Sequence, residues 1–266
     1  MFEPGIHPTA IVDPKAQVDS TASIGAYAIV GPDATIGARV RLDPHALVSG
    51  WTEIGEDSRL WPFAAVGCEP QDRSYGGWRT FVRVGARALI HEGATIHRGT
   101  MEDTSTIVGD DCMLMNNAHV AHNCTVANGV TIASGAVLAG HATIGERAFI
   151  SGNAAVHQFC RIGRVAMIAG IARARRDVPP FSTLSHDTRI DGLNVVGMKR
   201  AGISREARME LMRMVRVLRK DPGELKTVVA RLAEEVTTPE AREFAEFILT
   251  PSKRGCGAFA PRDTRE

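Results

Sequence analysis

Five of the nine histidines fall in the 61 residues from His97 to His157. His122, Gly140 and Gln158 are spaced 18 apart, with His141 and His157 as immediate neighbours of the last two. Arg98, next to His97, joins the same column if six residues between it and His122 are looped out. His119 lies three residues before His122, nearby but differently directed. Two kinds of chemistry use such a group. Neutral imidazoles are common zinc ligands. Alternatively, one imidazole removes a proton from a nucleophile while its neighbours orient the substrate. Stacked strands about 4.8 Å apart are spaced widely for ligands that must each reach a metal at about 2.1 Å. A glycine beside His122 suits the second reading, because its backbone N–H is available to a developing oxyanion.

The column has meaning only if 18 residues make one turn of the chain, and the repeat says that they do. Of the 28 positions that are multiples of six up to Ile168, 25 are aliphatic; only Asp72, Trp78 and Glu102 are not. The position two residues before the aliphatic is also restricted, to residues such as Ala10, Ala16, Ala22 and Ala28. Glycine often follows it, as in Ile24-Gly25 and Ile144-Gly145, which reads as a residue permitting the turn. Neither a helical period of 3.6 nor a strand period of 2 generates this pattern. Three six-residue units closing one triangular coil make a parallel β-helix.

The phase survives two interruptions. About 12 residues are extruded between Val66 and Val84, a loop over about 67–83, and about six between Ile96 and Val108, a loop over about 101–107. Loops leaving a rigid solenoid are favoured places for function. Ala174 and Pro180 break the series, so the chain divides into a β-helix over 1–176 and a helical domain over 177–266. Three helices are expected there: after Ser204 to about Lys220, after Asp221-Pro222 to about Glu235, and after Thr238-Pro239 to about Leu249. A polar tail beyond about 251 is expected to fray.

Composition bounds the function. Hydrophobic residues make up 44% of the 266 and charged residues 23%, which allows a large core and excludes wholesale disorder. No apolar run approaches the roughly 18–20 residues of a bilayer-spanning helix. The start, Met1-Phe2-Glu3-Pro4-Gly5, lacks the features of a signal peptide, so a soluble cytoplasmic protein without an integral membrane segment is expected. A net charge of +1 speaks against a nucleic-acid partner. Yet Arg161, Arg164, Arg173, Arg175 and Arg176 bunch at the end of the solenoid, a patch suited to an acidic partner. Cys112, Cys124 and Cys160 occupy the alanine position and read as small buried hydrophobes. With no CxxC pair, neither a disulfide framework nor a cysteine zinc site is supported.

Longer strings narrow the field. Ile96-His97-Arg98-Gly99-Thr100, Asn117-Ala118-His119-Val120-Ala121-His122-Asn123, Leu138-Ala139-Gly140-His141 and Val156-His157-Gln158-Phe159 resemble the UDP-N-acetylglucosamine acyltransferases of lipid A synthesis. So do Asp177-Val178-Pro179-Pro180, Gly192-Leu193-Asn194, Gly197-Met198-Lys199-Arg200 and Ser204-Arg205-Glu206-Ala207, and the likeness spans nearly the whole chain in order. The resemblance implies a left-handed β-helix with a C-terminal α-helical domain, a homotrimer, and clefts between neighbouring subunits. It implies transfer of a 3-hydroxyacyl chain from acyl carrier protein, through its phosphopantetheine arm, to the 3-hydroxyl of UDP-N-acetylglucosamine, with no metal and no separate cofactor. His122 then matches the general base and Gly140 the oxyanion N–H. Asp72, His119, His141, Gln158, Asn194 and Arg200 match sugar-nucleotide contacts, and His97 and His157 line the same cleft. Gly170 matches the position that limits acyl-chain length, and the five arginines would meet the carrier protein.

Four positions depart from the family pattern. Asn123 stands where an aspartate usually follows the base, and Ser74 replaces a lysine in the first loop. Val196 stands where a glutamate is common, and Ala201 replaces an arginine. These departures keep in view a related acceptor such as a 3-amino nucleotide sugar and a structural or regulatory trimer that has lost catalysis. A zinc hexapeptide enzyme resembling γ-carbonic anhydrase is a further alternative from another class.

Overall fold

The computed structural model of the chain describes residues 3–187 and 189–260. Strands mostly two residues long alternate with tight turns and stack into three sheets. The first face starts at Gly5–Ile6, the second at Ile11–Val12 and the third at Gln17–Val18; together they wall a left-handed triangular prism. Each coil hydrogen-bonds to the next through its backbone, as in Val137 N–H to Ala154 O and Ala139 N–H to Val156 O, both 2.9 Å. Strands with a coil on either side thereby satisfy their backbone polar groups without side-chain help.

The register follows the six-residue pattern. Val120 faces Leu138 and Leu138 faces Val156, one 18-residue coil each. Val66 faces Ile96 and Ile96 faces Val120, so 12 and six residues are extruded, as the interrupted phase requires. Inside, the aliphatic ladder and the alanine ladder are almost wholly buried. Cys112, Cys124 and Cys160 fill alanine positions, and burial pushes the Cys112 thiol up to about 11 and those of Cys124 and Cys160 up to about 12.

The glycine after the aliphatic does something other than the sequence suggests. Gly25, Gly37, Gly55 and Gly145 have ordinary φ; a Cβ there would lie 2.5–2.8 Å from backbone of the adjacent coil. They allow close stacking. The left-handed conformation falls two residues later, at Asn123 (φ 59°), His141 (φ 60°) and Phe159 (φ 65°). Asparagine adopts it most readily among non-glycine residues.

The coils outlast the sequence signal. Ala174 faces Val156, Val178 bridges Ile162, and Leu184 faces Ile168. The last coil is two residues shorter and has alanine in an aliphatic slot, which ends the period without ending the prism. Arg189–Leu193 then returns antiparallel to Ser182–Leu184. Four helices follow: α1 (Val195–Arg200), α2 (Arg205–Leu218), α3 (Leu225–Ala233) and α4 (Pro239–Leu249). Ser204 and Thr238 cap α2 and α4, but α3 starts after Glu224. Asp221 instead closes a turn with Gly223 N–H and pairs with Arg231. Helix α1 has no counterpart among the expected elements.

Residues 251–260 do not fray, because the prism offers them unpaired backbone. Asp177 N–H donates to Gly255 O, Gly257 N–H donates to Asp177 O, and Ala258–Phe259 pairs with Arg189–Ile190. The rest of the expected tail, 261–266, lies outside the described residues. Buried Asp177 also accepts from Arg161 N–H and Nε, and Arg161 donates onward to Phe247 O at the end of α4. Arg164 grips Glu243 of α4 through both Nε and Nη2. These two arginines fasten the helices to the prism.

Close coil stacking has a measurable consequence. In Gly145→Ala the new Cβ would sit 2.5 Å from Arg164 N, so urea unfolding should show a loss of about 1–3 kcal/mol. Gly31→Ala, whose Cβ finds its nearest atom at 3.5 Å, should change stability by less than about 0.5 kcal/mol.

Candidate active site

His122 sits at the corner where the chain leaves the second face after His119–Val120. Its ring is oriented by the next residue: Nδ1 lies 2.9 Å from Asn123 Oδ1. That oxygen also accepts from Thr100 N–H (3.2 Å) and Thr100 Oγ1 (2.9 Å), and Asn123 N–H donates to Thr106 Oγ1 at 2.8 Å. A backbone donor to Oδ1 fixes which way the amide faces. An amide oxygen only accepts, so Nδ1 carries a proton, and in the neutral ring Nε2 is the nitrogen that presents the lone pair. Nε2 points to Asp72 Oδ2 at 3.5 Å.

Asp72 comes from the first extruded loop. Ser74 donates to its Oδ1 from both N–H (2.8 Å) and Oγ (2.7 Å). These bonds, then the nearby His122 and His141, hold the carboxyl below its usual range. Ser74, one of the four departures, thus has a local task in fixing Asp72. With the ring neutral, the carboxylate and Nε2 are two acceptors facing each other across 3.5 Å without a proton between them. A substrate hydroxyl would supply it.

Gly140 stacks directly on His122, and a Cβ there would lie 2.4 Å from His122 Cε1 and 2.6 Å from Nε2. Only glycine leaves the ring in place. Among the described residues the Gly140 N–H donates to nothing, while His141 N–H beside it donates to His122 O.

Three neighbouring imidazoles are pushed toward the neutral form. Burial, helped by His119, His122 and Arg98, pushes His97 down to about 4. Burial and His122 lower His119, whose Nδ1 is 2.7 Å from Thr95 Oγ1. Burial, His122 and Lys253 lower His141. His97 meets His119 edge to face at 5.0 Å, and His122 meets His141 the same way at 5.3 Å. Among the described residues no group of three His, Cys, Asp or Glu could hold a metal ion.

A cleft of about 680 Å³ joins His97, His119, His122, Gly140 and His157. Its floor is apolar, from Val137 and Ala155, and it ends at Arg173 and Arg175. Because these residues lie on successive strands of one sheet, from Thr95–His97 to Arg173–Ala174, the cleft is about 19 Å long at the usual strand spacing. Gly170 lies at the far end of that face on its opposite corner, exposed and outside the cleft lining. Gln158 is exposed on the histidine corner.

Asn194 and Arg200 are elsewhere. They line a second cleft of about 810 Å³, with Val196 and Ala201 of the α1 region and Phe149 and Met167 of the first face. Asn194 caps α1, accepting from Gly197 N–H and donating to Val165 O, both 2.9 Å. The five arginines divide as well. Arg161 and Arg164 are committed to Asp177 and Glu243, whereas Arg173 and Arg175 are exposed beside Asp187 and Arg176 is exposed nearby.

Sequence reasoning missed Thr95, Thr100 and Thr106, which look like ordinary strand and loop residues. It also missed Lys253 and Arg254 in the expected tail. Lys253 Nζ stands 4.0 Å over the Phe159 ring, which stacks on His141 at 4.8 Å. Arg254 donates to Gln158 O at 2.8 Å and meets His157 Nδ1. No periodic signal marks either residue.

Fold and site together define a hexapeptide-repeat transferase, and residues 105–140 match the family of bacterial transferase hexapeptides. Residues 177–256 match domain 2 of UDP-N-acetylglucosamine O-acyltransferase. The acyl-[acyl-carrier-protein]–UDP-N-acetylglucosamine O-acyltransferase of Xanthomonas euvesicatoria is 43% identical, over 92% of this chain and 95% of that one. Its Rhizobium johnstonii counterpart is 39% identical, over 94% and 93%. The solved UDP-N-acetylglucosamine acyltransferase of Campylobacter jejuni superposes with a TM-score of 0.89 at 34% identity, covering 96% of this chain and all of that one. The chain belongs to the UDP-N-acetylglucosamine O-acyltransferase family.

The depressed His97 makes stability depend on acid. Between pH 6.5 and about 4 the unfolded chain binds a proton that the folded chain refuses, so stability falls as pH drops through that window. The loss contributed by this residue is up to about 3 kcal/mol. Chemical unfolding at pH 7 and pH 4.5 should show a smaller pH difference for His97→Gln than for the parent.

Proposed function

We propose that the cleft transfers a 3-hydroxyacyl chain from acyl carrier protein to the 3-hydroxyl of UDP-N-acetylglucosamine, the first step of lipid A synthesis. One observation carries the assignment of roles: His122 is oriented by Nδ1 against Asn123 Oδ1 so that Nε2 turns toward Asp72, with the unpaired Gly140 N–H on the next coil. The sugar hydroxyl gives its proton to Nε2 as its oxygen bonds to the thioester carbonyl carbon. The resulting oxyanion rests against the Gly140 N–H. Collapse breaks the carbon–sulfur bond, and the departing thiolate takes the proton back from Nε2, leaving an ester and a free thiol. Base assistance of this kind is worth about 10²–10⁴-fold.

Asp72, His97, His119, His141, His157 and Gln158 orient the nucleotide sugar in this reading, with the apolar floor taking the acyl chain toward Gly170. Asn194 and Arg200 serve the cleft of a neighbouring copy in a homotrimer. Support comes from the outward residues of two faces. The first carries Leu89, Met113, Phe149 and Met167, and the second carries Ile11, Ile29, Leu47 and Val137. The third carries Gln17, Thr35, Glu53, Thr125 and Thr143. The first face also carries Arg41, Arg59 and Thr131, and the third Phe81 and Ile107. The support is therefore the exposed apolar side chains, which neighbouring copies in a closed ring of three would cover.

With Arg161 and Arg164 occupied, the carrier protein is read as meeting Arg173, Arg175 and Arg176 at the cleft mouth. The reaction calls on no metal or separate cofactor. Among the described residues no helix is long and apolar enough to cross a membrane. Five free cysteines suit a reducing compartment, the cytoplasm.

Purified protein given mixed 3-hydroxyacyl-carrier thioesters with UDP-N-acetylglucosamine, or with its 3-amino analogue, should yield an alkali-labile ester from the former, identified by mass. His122→Ala should lower turnover by about 10²-fold or more with an unchanged assembly size. An alkali-stable amide as the sole product, or a fully active His122→Ala, contradicts the reading.

A further inference from the structure

We propose that Arg98 is a positioning residue for the acceptor: it clamps the first extruded loop so that Asp72 faces the base. The proposal rests on the reading of the cleft given above. Arg98 occupies the corner column one coil before His122, but its side chain turns back toward the preceding coil and is 8% exposed. Nη1 donates to Gly67 O at 2.9 Å, Nε and Nη2 donate to Tyr75 Oη at 3.2 and 3.0 Å, and Nη2 donates to Glu69 Oε1 at 3.2 Å. The guanidinium carbon also lies 5.9 Å from the Trp51 ring centroid and 5.5 Å from that of Tyr75.

The surrounding chain is shaped for this cation. A Cβ on Gly50 (φ 60°) would lie 2.7 Å from Arg98 Nη1, and one on Gly67 (φ 85°) would collide with Thr52 Oγ1 and Ser49 O. Both glycines hold left-handed backbone that other residues avoid. A buried guanidinium is tolerated only when its donors are engaged. Here they are met by a carbonyl, a phenol and a carboxylate in one planar fan, a geometry that lysine cannot copy.

What the clamp holds is the Asp72 loop. Tyr75 Oη accepts from Arg98 and donates to Trp78 O at 2.9 Å, and Tyr75 N–H donates to Asp72 O at 3.1 Å. For residues 69–78, every hydrogen bond from outside the segment among the described residues comes from Arg98; the remaining polar contact is Asp72 with His122. The extruded residues are anchored near their ends, by buried Pro70 and Thr80 and by Asp103 N–H donating to Arg79 O at 2.9 Å, which leaves the Asp72 turn itself to Arg98. Arg98 never reaches the cleft, so it acts through Asp72 and does not touch the reacting atoms.

The test compares Arg98→Lys, Tyr75→Phe and Asp72→Asn, singly and as the Arg98→Lys/Asp72→Asn pair. Tyr75→Phe removes one oxygen and leaves the buried cation, so it serves if Arg98→Lys folds poorly. Each clamp variant should raise KM for UDP-N-acetylglucosamine roughly tenfold or more, leave KM for the acyl donor within about twofold, and speed amide exchange across residues 69–78. In the Asp72→Asn background the Arg98→Lys change should add less than about twofold. Fully multiplicative effects in the pair, or an unchanged acceptor KM, overturns the proposal. Amide exchange is read without turnover: unchanged loop protection in both clamp variants refutes the clamp even if the chain acylates some other acceptor. An inactive parent with a loosened loop would fault the acceptor reading and not the clamp.

Discussion

A coil of this prism must rise by one strand spacing while its backbone hydrogen-bonds to the coils on either side, and that constraint governs everything else in the molecule. It leaves room inside for one aliphatic side chain per face and, beside it, mostly alanine or cysteine, with valine or threonine at a few coils such as Val40, Val130 and Thr106. It also demands glycine where one coil presses on the next, as at Gly55 and Gly145. Side chains separated by 18 residues are therefore stacked by the backbone itself. His122 and Gly140 are brought together before any interaction between them is considered, and the left-handed corner then sets Asn123 and His141 at their angles. The solenoid offers a rigid ruler on which extruded loops can be placed without disturbing the register.

On that ruler the site is assembled from groups that lack protons. Nε2 of His122 and the Asp72 carboxylate both accept, and burial keeps His97, His119 and His141 neutral at physiological pH. Such a cluster attracts donors: hydroxyl groups of a sugar suit it. Asn123 contributes orientation without charge, since its oxygen is shared among His122 and both donors of Thr100. A carboxylate at that place would add a negative charge beside the ring; the amide orients it without one. The Thr100 bonds matter for this reason. They come from the second interruption and tie the base to a loop that the repeat alone would never place.

Most of the prism was legible because a six-residue period is a direct imprint of the coil on the sequence. The same period made the histidine column visible and gave the loop lengths as about 12 and about six residues, which the strand register matches. Legibility failed where contacts are not periodic. The last coil is hidden by Ala174 and a two-residue slip, and α1 is too short to show an apolar stripe. Lys253 and Arg254 reach the histidine corner only because the chain after α4 pairs with Asp177, a partnership between residues nearly 80 apart that no local pattern encodes. The arginine cluster was visible as charge, but its division into two structural and three exposed members depends on Asp177 and Glu243. Asn194 and Arg200 lie on a different cleft from His122 in one chain, which only the folded arrangement reveals.

The central claim is that Asn123 fixes His122 as the Nδ1-protonated tautomer, leaving Nε2 as the base. Nitrogen-15 chemical shifts of the His122 ring, assigned by comparison with His122→Ala, read this directly. At neutral pH the account predicts a protonated-type Nδ1 and a bare, imine-type Nε2. The opposite pattern, with the proton on Nε2, would contradict it.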